Sequence, residues 1–163
     1  MSGAAYPVNS LEFGVWVRTR RELLGITQQD LARRVSMHQP HLSAIEAGTR
    51  TAGPSVQSRL VGALEATPSQ LLPAATESLL HLFADDFTSV KIFGSPATGC
   101  DNTSSDVDIL AEPKPGVKVG LLAKARLTRL AEAILTTRVD VVFDYGRQST
   151  VFDAVRREAV ALA

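Results

Sequence analysis

The chain has 163 residues, an apolar fraction of 45% and a formal net charge of +0, which excludes whole-chain disorder and leaves room for one domain or two small ones. The charge is uneven: residues 1–72 carry seven Arg and five acids (net +2), and residues 73–163 carry ten Lys or Arg and twelve acids (net −2), which permits a nucleic-acid-facing first half and a metal-facing second half. The lone Cys100 excludes an internal disulfide, no apolar run approaches the roughly 18 residues of a membrane span, and the opening MSGAAYPVNS lacks the pattern of a secretory signal, so a cytoplasmic protein with no membrane contact is expected.

Phe13, Trp16, Val17, Leu23 and Leu24 follow helical spacing and predict a first helix over 11–24, ended by Gly25. Thr27 then stands where an N-cap belongs, with Asp30 at the third position beyond it, and Leu31 and Val35 give a short second helix its buried face. A turn at 35–37 leads to a third helix over 39–47. Pro40 lies in its first turn, where a missing N–H costs nothing, Leu42 and Ile45 point inward, and Gly48 stops it. Val56, Leu60 and Leu64 predict a fourth helix, and Thr67-Pro68 opens a short turn of helix through Leu72.

The run Thr27-Gln28-Gln29-Asp30-Leu31-Ala32-Arg33-Arg34, followed by Gln39-Pro40-His41-Leu42-Ser43-Ala44-Ile45-Glu46-Ala47-Gly48, resembles the Cro/repressor (Xre) helix-turn-helix family over residues 11–72. The resemblance implies operator DNA as a partner, read in the major groove by the second motif helix, and a homodimer as the default assembly. Carried over by position, Gln39, His41, Ser43 and Ala44 approach base edges and Gln28 meets a phosphate. Ser36 departs from the family's turn glycine and implies some strain there. The alternative reading is a helical module that serves only packing or dimerisation.

Pro73-Ala74-Ala75-Thr76 looks like a linker, which divides the chain into domains 1–73 and 74–163. Beyond it the expected order is a helix from 77, a strand over 90–93, a loop, a strand over 107–110, a helix over 119–135, a strand over 139–143 and a helix over 151–161. Such alternation predicts a small α/β (α+β) domain with a mixed sheet, behind an all-α bundle.

The chemistry gathers on two of these strands. Side chains alternate along a strand, so Asp106 and Asp108 share a face while Val107 and Ile109 point to the core. Two close carboxylates repel unless a cation lies between them, and hard oxygen donors suit magnesium. Gly94 lets the backbone approach a ligand closely, and Ser95 offers a hydroxyl and an N–H to a phosphate. A third acid is expected from a neighbouring strand. Asp140 is preferred, and Asp144 on the same face is the competitor. Two metals on three carboxylates would clamp the attacking and leaving oxygens of a phosphoryl displacement, with Asp140 also helping to deprotonate the incoming hydroxyl.

Gly94-Ser95, ten intervening residues (96–105), Asp106-Val107-Asp108 and a later strand Asp140 resemble the polymerase-beta-like nucleotidyltransferases, in particular their minimal members, over residues 77–163. The resemblance implies Mg2+ on Asp106, Asp108 and Asp140, ATP as substrate at Gly94 and Ser95, and an antitoxin that transfers AMP to a hydroxyl, typically a tyrosine, of a HEPN-type toxin. With the helix-turn-helix it implies control of the chain's own operon. Thr98 stands where many members carry an arginine, which leaves open a non-catalytic repressor that only grips its partner. A small-molecule nucleotidyltransferase is a third reading.

Overall fold

The computed structural model describes residues 10–146 and 150–162; residues 1–9, within the opening segment read above for a targeting signal, lie outside them. Two compact units divide the chain, one ending at Ala66 and the next beginning at Thr67, whereas the sequence suggests a break after residue 73.

The first unit is helical: α1 (Ser10–Leu23), α2 (Gln28–Arg34), α3 (Gln39–Glu46) and α4 (Pro54–Ala63). Phe13, Val17, Leu31, Leu42, Ile45 and Leu60 lie at 0–1% exposure in a single core. Close packing of α1 on α3 depends on Gly14, where an added Cβ would stand 2.1 Å from the Ile45 carbonyl oxygen. The Thr27 hydroxyl accepts the Asp30 N–H at 3.1 Å and donates to Asp30 Oδ2 at 2.6 Å. Asp30 thus serves the hydroxyl rather than the Thr27 N–H that a full capping box would satisfy. Ser36 holds φ at +51°, a strained turn costing on the order of 1 kcal/mol for a residue with a Cβ. Buried Arg20 fastens the C-terminal end of the unit, its Nε donating to the Leu64 carbonyl at 2.9 Å and its Nη2 to that of Ala66 at 3.0 Å.

The second unit contains α5 (Pro68–Phe83), β1 (Phe87–Phe93), α6 (Ser95–Thr98), β2 (Val107–Pro113), α7 (Leu121–Leu135), β3 (Val139–Phe143), α8 (Thr150–Glu158) and β4 (Val160–Ala161). The expected linker at 73–76 and the separate short turn before it are corrected: both lie inside α5, with Pro73 in its interior. Leu71, Ala75, Leu79 and Phe83 recur every four residues and are all buried. Burial of that stripe outweighs the one hydrogen bond Pro73 removes, and Pro73 itself faces solvent.

The strands form a mixed sheet in the order β3-β2-β1-β4. β2 runs parallel to β3 and antiparallel to β1, which also pairs antiparallel with β4. α5 and α7 pack together and against the sheet, covering the face that carries Val107, Ile109, Ala111, Val139 and Val141, all buried. Phe87 extends this core, edge-on to Phe83 and stacked on Phe143 at 5.5 Å. Alternation therefore sends Asp108, Leu110 and Glu112 to the other face. Pattern alone reveals neither α6 nor β4, because a four-residue helix and a two-residue strand are too short to show a period.

Candidate functional site

The carboxylates come together through strand register. Asp108 on β2 pairs with Asp140 on β3 and, on its other side, with Phe93 at the end of β1. Asp106 stands one residue ahead of β2. Asp144, the competing choice, lies past the end of β3 and is fully engaged elsewhere: Arg156 Nε donates to its Oδ2 at 2.6 Å, and the Gly146 N–H to its Oδ1 at 2.9 Å. Hydrogen bonds from Arg156, opposed by burial, hold the Asp144 carboxyl below the usual carboxylate range.

Gly94 follows directly after β1 with φ +73° and ψ −153°, a region open essentially to glycine alone. A Cβ here would stand 2.8 Å from Asp108 Oδ2, so the missing side chain is what admits the carboxylate against the backbone. Ser95 begins α6, which closes when the Cys100 N–H donates to the Ser95 carbonyl at 3.0 Å. The Thr98 hydroxyl turns back onto its own turn, 3.1 Å from the Ser95 carbonyl and 3.4 Å from that of Gly94.

The electrostatics differ among the three acids. Burial, then Asp140, then Asp106 push the Asp108 carboxyl up from its ordinary value. Asp106 accepts from Arg138 Nε at 2.8 Å, and Asp140 lies 3.3 Å from Lys124 Nζ on α7. Among the described residues no group of three or more Asp, Glu, His or Cys side chains is drawn to a common point that could hold a metal ion. The two outer carboxylates lean instead on protein cations. The donor chemistry nevertheless suits a hard divalent cation: oxygen ligands, with a central carboxyl held between two like charges that a cation would relieve.

Sequence reasoning missed the anchor of the loop joining α6 to β2. Asp101 accepts the Ser69 hydroxyl at 2.7 Å and the Ser69 N–H at 2.8 Å, at the first turn of α5. Burial would raise the Asp101 carboxyl, but the bonds from Ser69 outweigh it and leave it lowered. A Ser two residues after Thr67 offers no long-range signal, so this contact is legible only in three dimensions.

In the helical unit, a polar chain leads from the core to the surface. Buried Glu46 accepts Arg21 Nε at 2.8 Å and Gln28 Nε2 at 2.8 Å; Gln28 Oε1 in turn accepts Gln39 Nε2 at 2.7 Å. Glu46 and Arg21 are thereby paired, the condition under which charges tolerate burial. Ser43 and Ala44 are half-buried on the side of α3 opposite buried Leu42, Ile45 and Glu46, while exposed Gln39 and half-buried His41 flank that side. Gln28 and Gln39 are thus held as a pair, and His41 stands apart from them.

Residues 12–74 match a family described as a helix-turn-helix domain, which supports DNA binding by this part of the chain. No curated protein matches the chain. A solved structure provisionally described as a minimal nucleotidyltransferase is 35% identical, with 56% of this chain and 93% of that one covered and a TM-score of 0.49.

Proposed function

We propose that the unit beginning at Thr67, behind a helix-turn-helix domain, is a magnesium-dependent nucleotidyltransferase that moves AMP from ATP to a tyrosyl hydroxyl of a HEPN-type toxin, and that the chain represses its own operator as a cytoplasmic homodimer. The observation that carries this reading is Gly94 packed against Asp108, which lies in register with Asp140. Magnesium held by Asp106, Asp108 and Asp140 would neutralise the triphosphate and the charge that develops in transfer. Gly94 admits the nucleotide close to the backbone, and Ser95 donates to its phosphate. Asp140 accepts the proton of the attacking hydroxyl. That oxygen bonds to the α-phosphorus, the bond to the bridging oxygen of the β-phosphate breaks, and pyrophosphate leaves. In the helical domain Gln28 steadies Gln39 for base contact while meeting a phosphate, and Ser43, Ala44 and His41 complete the edge presented to the groove.

A second reading, a non-catalytic repressor that only grips its partner, is favoured by one observation. Thr98 supplies no cation, and Arg138 and Lys124 already balance two of the three acids. The two readings separate in one experiment. The chain is incubated with ATP, magnesium and the product of the adjacent gene, and the intact mass of that product is measured. A gain of one AMP, absent with Asp106→Ala/Asp108→Ala, supports transfer; no gain together with no ATP binding leaves the second reading. For the first domain, a mobility-shift assay on upstream DNA should lose its signal with Gln39→Ala/His41→Ala, and unchanged binding overturns the groove assignment.

A further inference from the structure

The exposed side of α7 is unlike the rest of its unit. From Pro115 to Ala131 the sequence has four cations, Lys118, Lys124, Arg126 and Arg129, and no acid, although the chain beyond residue 72 is net acidic. Leu121 and Leu122 are 82% and 88% exposed, and Leu130 is 39% exposed. Leu122, Arg126, Arg129 and Leu130 follow one another at i, i+4, i+7 and i+8, so they form one exposed stripe. Leu121 stands beside it, three positions before Lys124. Among the described residues Lys118, Arg126 and Arg129 have no acidic partner. Lys124, on the same helix, reaches Asp140 at 3.3 Å.

We propose that this stripe is the docking surface for the protein that accepts the nucleotidyl group, a partner presenting carboxylates around an apolar groove. The proposal rests on the transfer reading above and adds where the acceptor sits. Charge complementarity selects the partner: unpaired guanidinium groups flanked by leucines fit an acidic surface with apolar anchors. A nucleic acid would satisfy the arginines and leave two almost fully exposed leucines unburied, so a protein is the better occupant. α7 also carries Lys124, which reaches Asp140 at 3.3 Å, so a partner laid along this helix lies at the β3 edge, whereas the Gly94 turn follows β1 on the other side of β2. At that edge the acceptor's hydroxyl enters beside Asp140, the carboxylate assigned its proton.

The test places a photo-crosslinking residue, p-benzoylphenylalanine, at position 122 of the full chain in cells, with Glu77 on α5 as a control position. The protein captured at 122 is purified and offered to the wild-type chain with magnesium and ATP. Capture at 122 and not at 77, of a protein that then gains AMP, is expected. Leu121→Ser/Leu122→Ser and Arg126→Glu/Arg129→Glu should each lower transfer at limiting acceptor at least tenfold, while ATP affinity and the thermal unfolding midpoint stay at wild-type values. Capture of only a second copy or only nucleic acid, no capture at all, or transfer unchanged in both variants overturns the proposal. Those outcomes leave the transferase reading intact if wild type still binds ATP and modifies a protein; failure of wild type to bind ATP removes both.

Discussion

Replacing Gly94 by alanine isolates the contact on which the site depends. The backbone there sits at φ +73° and ψ −153°, where a residue with a Cβ costs about 1–3 kcal/mol. The new Cβ would also press on Asp108 Oδ2 at 2.8 Å, so the carboxylate must swing away or the turn must open. Gly99 is the internal control, since it too has positive φ, +69°, but nothing lies within 4 Å of its Cβ position. Gly99→Ala should therefore lose only the left-handed penalty, about 1 kcal/mol, and leave ligand binding unaltered. Gly94→Ala should lose about 2–3 kcal/mol in urea unfolding, and a domain of this size shifts its midpoint by roughly 4–8 °C per kcal/mol. It should also weaken magnesium-dependent ATP binding, read by calorimetry. Equal stability of the two variants, with ATP binding intact in Gly94→Ala, would refute the claim that the missing side chain holds the carboxylate in place.

Two further outcomes follow from buried charge. Because Arg156 holds the folded-state Asp144 carboxyl below its ordinary value, that pairing contributes stability above the unfolded carboxylate pKa and loses it as pH falls through the lowered folded value. Asp144→Asn should thus destabilise the second unit at pH 7 by about 1–3 kcal/mol, less than a fully buried pair because Arg156 is partly exposed, and should flatten the acid limb of the unfolding midpoint measured against pH. In the first unit, Glu46→Ala leaves Arg21 buried without its carboxylate and Gln28 without its acceptor. A loss of about 3–5 kcal/mol in denaturant unfolding is expected, whereas a loss under 1 kcal/mol would mean that water reaches Arg21.

Much of the fold is legible before any coordinates, and the reasons are local. The stop of the first helix follows from Gly25, the cap of the second from Thr27 and the bounds of the third from Pro40 and Gly48, and the alternation of Val107, Asp108, Ile109 assigns the faces of β2. The linker expected at 73–76 is helix instead, because Pro73 costs one hydrogen bond against an apolar stripe whose burial depends on a partner surface that the sequence does not show. The choice between Asp140 and Asp144 was likewise open in one dimension, since both occupy the same face of β3 and its extension.

The sequence by itself determined which side chains could share a face, and with them the identity of the candidate site: Gly94, Ser95 and the acids at 106 and 108 lie near one another along the chain, where periodicity governs. Tertiary structure decided which distant groups meet. Register pairs Asp140 with Asp108, Ser69 anchors the loop at Asp101, and Arg138 and Lys124 lean on the outer carboxylates. Those contacts depend on strand pairing and helix packing over tens of residues, where no sequence spacing carries the information and only burial and hydrogen-bond satisfaction select one arrangement.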